Sequence, residues 1–406
     1  MASFTKIPAN NKQGYKWVCI KDGPPDPATG ARNQVKRRGD TKKEAEARCD
    51  EAIKKLGEHG LSEKDLKQLP FGRVAAEWLE TYVRGGAKPG TIQRRKDSLK
   101  IIFSFMEHVN INRITPKLHQ SMLNELFDSG YSKSTLDSVH VAANLVYKHA
   151  LKERYIQSNP AAGATIPVKV RTVEEIENNP VENSYLERGE LHQFLATVNE
   201  HGLTNDAPFF YLMAFSGLRI GEALALKWTD VDFETGNIRV TKTLYAPRNN
   251  MRTTVLLPPK TTASIREFDL DEDVMKLLKT HKAQQNQRIL EKRLLTADFH
   301  NGNYVFANDS GYPTVHRQIE FRMKRLLKKS GLKKPATPHF FRHTHISMLT
   351  EAKVDLKTIM DRVGHDDPKT TLKIYTHVTE KMKKDAGQKL SSSYSDILKG
   401  LILQDS

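Results

Sequence analysis

The sequence predicts a multidomain, mainly α-helical chain with small antiparallel sheets. Three observations carry this. Apolar residues recur at helical spacing through most of the 406 residues. Alternating, strand-like runs occur in only two places, near the N-terminus and around residues 237–270. Breaks near residue 70 and across 166–184 divide the pattern into three blocks, enough chain for two or three domains.

The first block, residues 1–65, reads as a sheet plus a helix. "GYKWVCIKDG" alternates like a strand, "PPDPATGAR" is a turn, and "NQVKRRGD" reads as a second strand. "TKKEAEARCDEAIKKLGEHG" is a helix, with Thr41 as N-cap and Glu44 three residues later. Lys36, Arg37 and Arg38 cluster near a turn, either to meet an anionic partner or as a solvated face. Cys19 and Cys49 lie far apart in sequence, and a reduced, cytoplasmic setting is expected.

The second block, residues 71–165, reads as four helices joined by short polar turns. The first has Val74, Ala75, Trp78, Leu79 and Tyr82 on one stripe. The second begins at a Pro-Gly break and carries Ile92, Leu99, Ile102, Phe103 and Met106. The third, "TPKLHQSMLNELFDSG", has a threonine cap and Pro at its first position. "SKSTLDSVHVAANLVYKHALKERY" is the fourth. Arg94, Arg95 and Lys96 lie off the apolar stripe, facing phosphates or water.

Residues 166–184 have no steady period and read as a linker. The third block, 185–395, mixes helices with three strand-like runs, "GNIRVTKTLYA", "RTTVLLPP" and "ASIREFDLD", expected to form one small antiparallel sheet. "FRMKRLLKKSGLKK" holds seven basic residues and no acid. The tail, 396–406, ends in an apolar stripe of Ile397, Leu398, Leu401 and Ile402.

Composition narrows the function. The formal net charge of +16 favours an anionic partner, nucleic acid or an acidic membrane surface. No apolar run approaches the ~18 residues of a membrane span, and no secretion signal is visible. The absence of GxxxxGK[ST] argues against a P-loop nucleotidase, and no CxxC or HExxH occurs.

Four stretches carry chemistry-bearing residues. "AFSGLRIGEALALKW" puts Arg219 at the start of a short helix, where backbone amides favour anions, with Glu222 three residues on. "PPKTTASIREFDL" puts Lys260 in a connection between two strand-like runs, as on a hairpin. "TPHFFRHTHISML" puts His339 and Arg342 on one face of a helix. His343 and His345 follow, but no neighbouring Cys or carboxylate completes a familiar metal site, so no cofactor or metal is expected. "VGHDDPKTTLKIYTHV" holds His365 and, ten residues later, Tyr375. Taken alone, each has a bland reading: a capping arginine, a turn lysine, core imidazoles, a core tyrosine.

Their order is specific. Arg, Lys, His-x-x-Arg, His, Tyr across the third block resembles the tyrosine recombinases, or phage integrase family. The boxes are "SGLRIGEALALKWTDVDF", "HFFRHTHISMLTEA" and "DRVGHDDPKTTLKIYTHV". The second block resembles the family's helical core-DNA-binding domain, and the first its arm-DNA-binding domain. The resemblance implies a mixed α/β catalytic domain at 185–395. It implies that Tyr375 attacks DNA to give a 3′-phosphotyrosyl link, with Arg219 and Arg342 clamping the scissile phosphate and Lys260 protonating the leaving oxygen. His339 would be the base or a phosphate contact, His365 a hydrogen-bond donor, and Glu222 a support. It further implies double-stranded DNA with core and arm sites, a homotetramer on that DNA, and a host bending factor or excisionase.

The chemistry wants these residue types. Phosphoryl transfer builds charge on the phosphate oxygens. Guanidiniums match those oxygens and stay cationic. A phenol with an ordinary pKa of about 10 needs nearby cations or a base to ionise. The competing readings are a chromosome-dimer resolvase, a type IB topoisomerase, and a DNA-binding relative without catalysis. The extra N-terminal block favours the integrase of a mobile element in a bacterial host.

Overall fold

The computed structural model describes residues 2–25, 32–59, 68–170, 184–259, 261–295 and 298–393. Lys260, residues 171–183 of the expected linker, and Ile397, Leu398, Leu401 and Ile402 lie outside the described residues. The chain divides into two compact units, residues 1–170 and 171–406.

The first unit begins with a three-stranded antiparallel sheet in the order β1 (Ser3–Pro8), β2 (Tyr15–Asp22), β3 (Gln34–Gly39). The sequence reading missed β1, because of its residues only Phe4 packs on the small core and the alternation is faint. Helix α1 (Lys42–His59) covers one face through Ala45, Cys49 and Ala52, against Cys19 and Val35. Its expected cap is present: Glu44 N donates to Thr41 Oγ1 at 3.1 Å and Asp40 N to Glu44 Oε2 at 2.7 Å. Both cysteines are buried and free, and the Cys49 thiol donates to the Cys19 carbonyl at 3.2 Å. The register pairs Cys19 with Arg37 and Val18 with Arg38. Strand alternation therefore puts Arg37 on the helix-bearing face, and Lys36 and Arg38 on the other. The three cations do not form one patch.

The expected four helices follow as α2 (Phe71–Arg84), α3 (Pro89–Met106), α4 (Pro116–Asp128) and α5 (Lys133–Lys152). Thr115 and Ser132 cap α4 and α5 by accepting from Leu118 N and Thr135 N. Phe71, Trp78, Ile102, Leu123 and Val146 share the core. On α3, Arg94 and Lys96 are exposed, whereas Arg95 is half-buried.

The second unit is built around α7 (Asp206–Ser216), apolar on all sides and therefore central. Helices α6 (Arg188–His201), α9 (Glu272–Arg293) and α11 (Pro338–Glu351) pack on it. Between them lie α8 (Ile220–Ala225) and α10 (His316–Ser330). The expected single sheet is two separate ribbons. β4 (Asn237–Val240) pairs with β7 (Arg266–Asp269), and β5 (Thr243–Tyr245) with β6 (Val255–Leu257). "GNIRVTKTLYA" thus breaks into two strands with different partners. The last helices are α12 (Leu356–Val363) and α13 (Lys369–Ser393). A second, smaller core joins them to α11 through Ile346, Ile359, Val363, Ile374 and Val378. Burying each such aliphatic side chain contributes roughly 1.5–3 kcal/mol, so packing holds α13 in place. Among the described residues no helix is long and apolar enough to cross a membrane.

Candidate active site

Helix α7 ends at Gly217, whose φ of +62° lets the chain turn sharply. A Cβ there would stand 2.8 Å from His345 Cδ2, so glycine also allows α11 to approach. Two residues later Arg219 opens α8. Its Nη1 donates to Glu222 Oε1 at 2.7 Å and to Ser264 Oγ at 3.3 Å, and its Nη2 to the Gly364 carbonyl at 2.9 Å. The Arg219 side chain is 37% exposed, while Glu222 is buried. The Glu222 Oε2 accepts from Arg266 Nη2 at 3.0 Å. Burial pushes the Glu222 carboxyl up, but Arg266 and Arg219 outweigh it, so its pKa lies below the ordinary value.

Helix spacing put His339 and Arg342 on one face, yet their surroundings differ. His339, in the first turn of α11, is itself exposed; Arg342, one turn deeper, is wholly buried. Arg342 Nη1 donates to the Gly217 carbonyl at 2.8 Å, Nη2 to the Val363 carbonyl, and Nε to His365 Nε2 at 3.0 Å. Burial first, then Arg219, pushes its pKa down to about 8, which leaves it cationic at neutral pH.

Three guanidiniums meet the end of α12. The Arg362, Val363 and Gly364 carbonyls accept from Arg266, Arg342 and Arg219 in turn. A helix C-terminus presents carbonyls without intrahelical partners and a partial negative charge, which suits cations. This is why the two arginines, 123 residues apart in sequence, converge.

The histidines beside them are neutral. His365 Nε2 accepts from Arg342, so Nδ1 carries the hydrogen and donates to Thr371 Oγ1 at 2.6 Å. Burial, then Arg342 and Arg219, lowers its pKa to about 3. Solvent reaches the His339 ring, but crowding by protein and the neighbouring His343, Arg342 and Arg219 hold it at about 4. The His339 and His343 rings meet edge to face at 4.6 Å. His343 Nδ1 donates to the Ser184 carbonyl.

Arg219, Glu222, Ser264, Gly364 and His365 line a cavity of about 390 Å³, with Asp366 and Asp367 also on its wall. Tyr375 does not line it. It sits on α13, half-buried against the small core, and among the described residues its hydroxyl has no hydrogen-bond partner. Lys260 falls outside the described residues, but its neighbours Pro259 and Thr261 line the cavity. The hairpin expected to carry it is corrected: β6 is paired with β5 and β7 with β4, so the connection between β6 and β7 joins two ribbons rather than closing one. Lys36, Arg37, Arg38, Arg94, Arg95 and Lys96 all belong to the first unit. Sequence reasoning missed Arg266, Ser264 and Thr371. The signal for Arg266 was a cation two residues before Phe268 in an alternating run, hence on one strand face with it.

A profile of the phage integrase family matches residues 184–382. The prophage ps2 probable integrase of Lactococcus lactis subsp. lactis strain IL1403 is 32% identical over 82% of this chain and 85% of its own. The integrase of Staphylococcus phage L54a is 31% identical over 84% of this chain and 98% of its own. Among solved structures, the Tn1549 transposon integrase in complex with a circular intermediate DNA aligns with a TM-score of 0.58 at 20% identity, over 78% of this chain and 99% of that one. A λ integrase dimer bound to a COC′ core site aligns at 0.53 and 18%, over 91% and 94%. Likeness at such identity carries the fold, and the two curated relatives carry the family. The chain belongs to the phage integrase family of tyrosine recombinases, enzymes that cut and rejoin DNA.

Proposed function

We propose that this protein is the integrase of a mobile genetic element in a bacterial cell, cutting and rejoining DNA at specific sites to integrate and excise that element. The observation that carries the reading is the convergence of Arg219 and Arg342 on the end of α12, beside a cavity walled by Glu222 and His365. A scissile phosphate in that cavity would exchange helix carbonyls for its own oxygens as guanidinium acceptors. One such donor set is typically worth about 3 kcal/mol of barrier.

In this reading Tyr375 Oη attacks phosphorus and the 5′-oxygen leaves. One P–O bond forms as one breaks, giving a 3′-phosphotyrosyl link and a free 5′-hydroxyl. The phenol proton goes to His339, neutral at pH 7, and Lys260 protonates the leaving oxygen. Glu222 holds Arg219. His365 donates to the phosphate through Nδ1–H after releasing Thr371. A second 5′-hydroxyl reverses the step on the partner strand. The covalent link keeps the energy of the phosphodiester, so strand exchange needs no nucleotide hydrolysis. Tyr375 must move from the apolar core toward the cavity for the first attack.

The domain assignments are part of the proposal: 1–65 for arm DNA, 71–165 for core DNA, 166–184 as linker, 185–395 as catalytic domain and 396–406 as tail. Two duplexes and four cuts call for a homotetramer on DNA, assisted by a bending factor or excisionase. The L. lactis and phage L54a relatives are integrases by name, and the λ structure is a dimer on a core site, which supports core-site binding here.

The test is a nicked suicide duplex of the candidate core site. The wild-type protein forms a covalent protein–DNA band. Tyr375→Phe binds the duplex equally well and forms none. A band that survives in the Phe variant sinks the nucleophile assignment.

A further inference from the structure

Arg266 has no part in the chemistry proposed above, yet it is among the best-anchored cations near the cavity. Its side chain is 6% exposed and faces the Glu222 carboxylate, itself 3% exposed, at 3.0 Å. Nε donates to the Arg362 carbonyl at 2.8 Å and Nη1 to the Ser264 carbonyl at 3.1 Å. One planar fork thus ties together three segments: α8 through Glu222, the end of α12, and the connection entering β7. Each of these also holds Arg219, through Glu222 Oε1, the Gly364 carbonyl and the Ser264 hydroxyl.

The carboxylate is divided between two cations. Oε1 faces Arg219 and Oε2 faces Arg266. Oε2 also accepts from the Arg219 backbone N–H at 3.0 Å; without Arg266 that single bond alone would hold it, and Glu222 could swing to chelate the Arg219 side chain with both oxygens and turn its fork from the cavity. A buried carboxylate with one cation also binds that cation harder, in competition with an incoming phosphate.

We infer that Arg266 is a positioning residue for DNA cleavage: by occupying Glu222 Oε2 and fixing the Arg362 and Ser264 carbonyls, it aims Arg219 at the phosphate. This rests on the function proposed above. A lysine at 266 keeps the charge but cannot reproduce three directional bonds from one planar group.

The experiment compares Arg266→Met and Arg266→Lys with wild type in full-length protein, on a nicked suicide duplex with either a normal scissile phosphate or a methylphosphonate there. The neutral methylphosphonate has less need of a well-aimed Arg219. The expected result is unchanged duplex affinity and a loss in adduct rate on phosphate on the order of a hundredfold, the scale of a ~1 Å misplacement. On methylphosphonate the deficit shrinks to a few-fold. Lys is expected to share the phosphate-specific loss. An equal loss on both substrates overturns the inference and makes Arg266 a fold stabiliser only; so does no loss on either. If the Met variant does not fold, the Lys variant carries the same comparison. Failure of the site reading itself shows separately, as an adduct that persists in Tyr375→Phe.

Discussion

The two halves of the proposed reaction are built differently in the unbound protein. The arginine half is tied down: Arg342 is wholly buried, with two carbonyls and an imidazole as acceptors, and Arg219 has a carboxylate, a hydroxyl and a carbonyl. The tyrosine half is held by grease. Ile374 and Val378 anchor α13 to α11 and α12, and the Tyr375 hydroxyl bonds to none of the described residues. Charge stabilisation is pre-organised, which is where rigidity lowers a barrier most. The proposed nucleophile is left on a packed seat in which no directional bond fixes its hydroxyl.

The largest effect should come from Arg342→Ala. It should lower unfolding free energy by about 2–4 kcal/mol, through a cavity and orphaned carbonyls, and slow adduct formation ~10²–10³-fold. Urea unfolding and suicide-duplex kinetics measure both. Tyr375→Phe, equally severe for chemistry, should change stability by no more than ~0.5 kcal/mol. Equal destabilisation by the two variants would erase the contrast between the halves.

Acid should act on the arginine half next. His345 is buried, faces the Ala214 carbonyl through Nδ1 and accepts from Arg362 through Nε2. Burial, then Arg362, lowers its pKa from 6.5 to about 3. The unfolded chain therefore binds the extra proton between those values and the folded one does not. Stability is full above pH 6.5 and falls as pH drops toward 3, by up to ~1.4 kcal/mol per pH unit for one such group. Urea midpoints at pH 7, 5.5 and 4.5 should decline, and His345→Gln should flatten the decline. An identical slope in the variant refutes the assignment.

The smallest effect concerns the cavity wall. Asp366 is exposed beside the proposed phosphate site. Asp366→Asn should tighten duplex binding by a few-fold at low salt, with the gain fading as ionic strength rises. A gain that persists at high salt points to a contact rather than a field.

Much of this was legible in the sequence because local rules decided it. Thr41 with Glu44 capped α1 as read, and Pro116 and Pro338 opened α4 and α11. The boxes around Arg219, Arg342 and Tyr375 marked the family. What was not legible depends on long-range pairing. Nothing in "GNIRVTKTLYA" says that its halves choose different partners, since β4 and β5 each pair with a strand ten or more residues away. The burial gap between His339 and Arg342 is likewise invisible to helical spacing, which fixes angle and not depth. Arg266 was hidden because its partners, Glu222 and the Arg362 carbonyl, lie 44 and 96 residues away.

Gly364, at the end of α12, has a consequence for how this site can change over generations. Its φ is +67°, and a Cβ would lie 2.9 Å from the Ala263 carbonyl and 3.2 Å from the Arg266 guanidinium. Any side chain would push apart the segments that hold Arg219 and Arg266. A library randomised from 364 to 367 and selected for recombination should return glycine at 364 almost without exception, while the exposed positions 366 and 367 drift. The site is thus open to retuning along its wall and closed at its hinge, so altered DNA preference would have to arise around that glycine rather than through it.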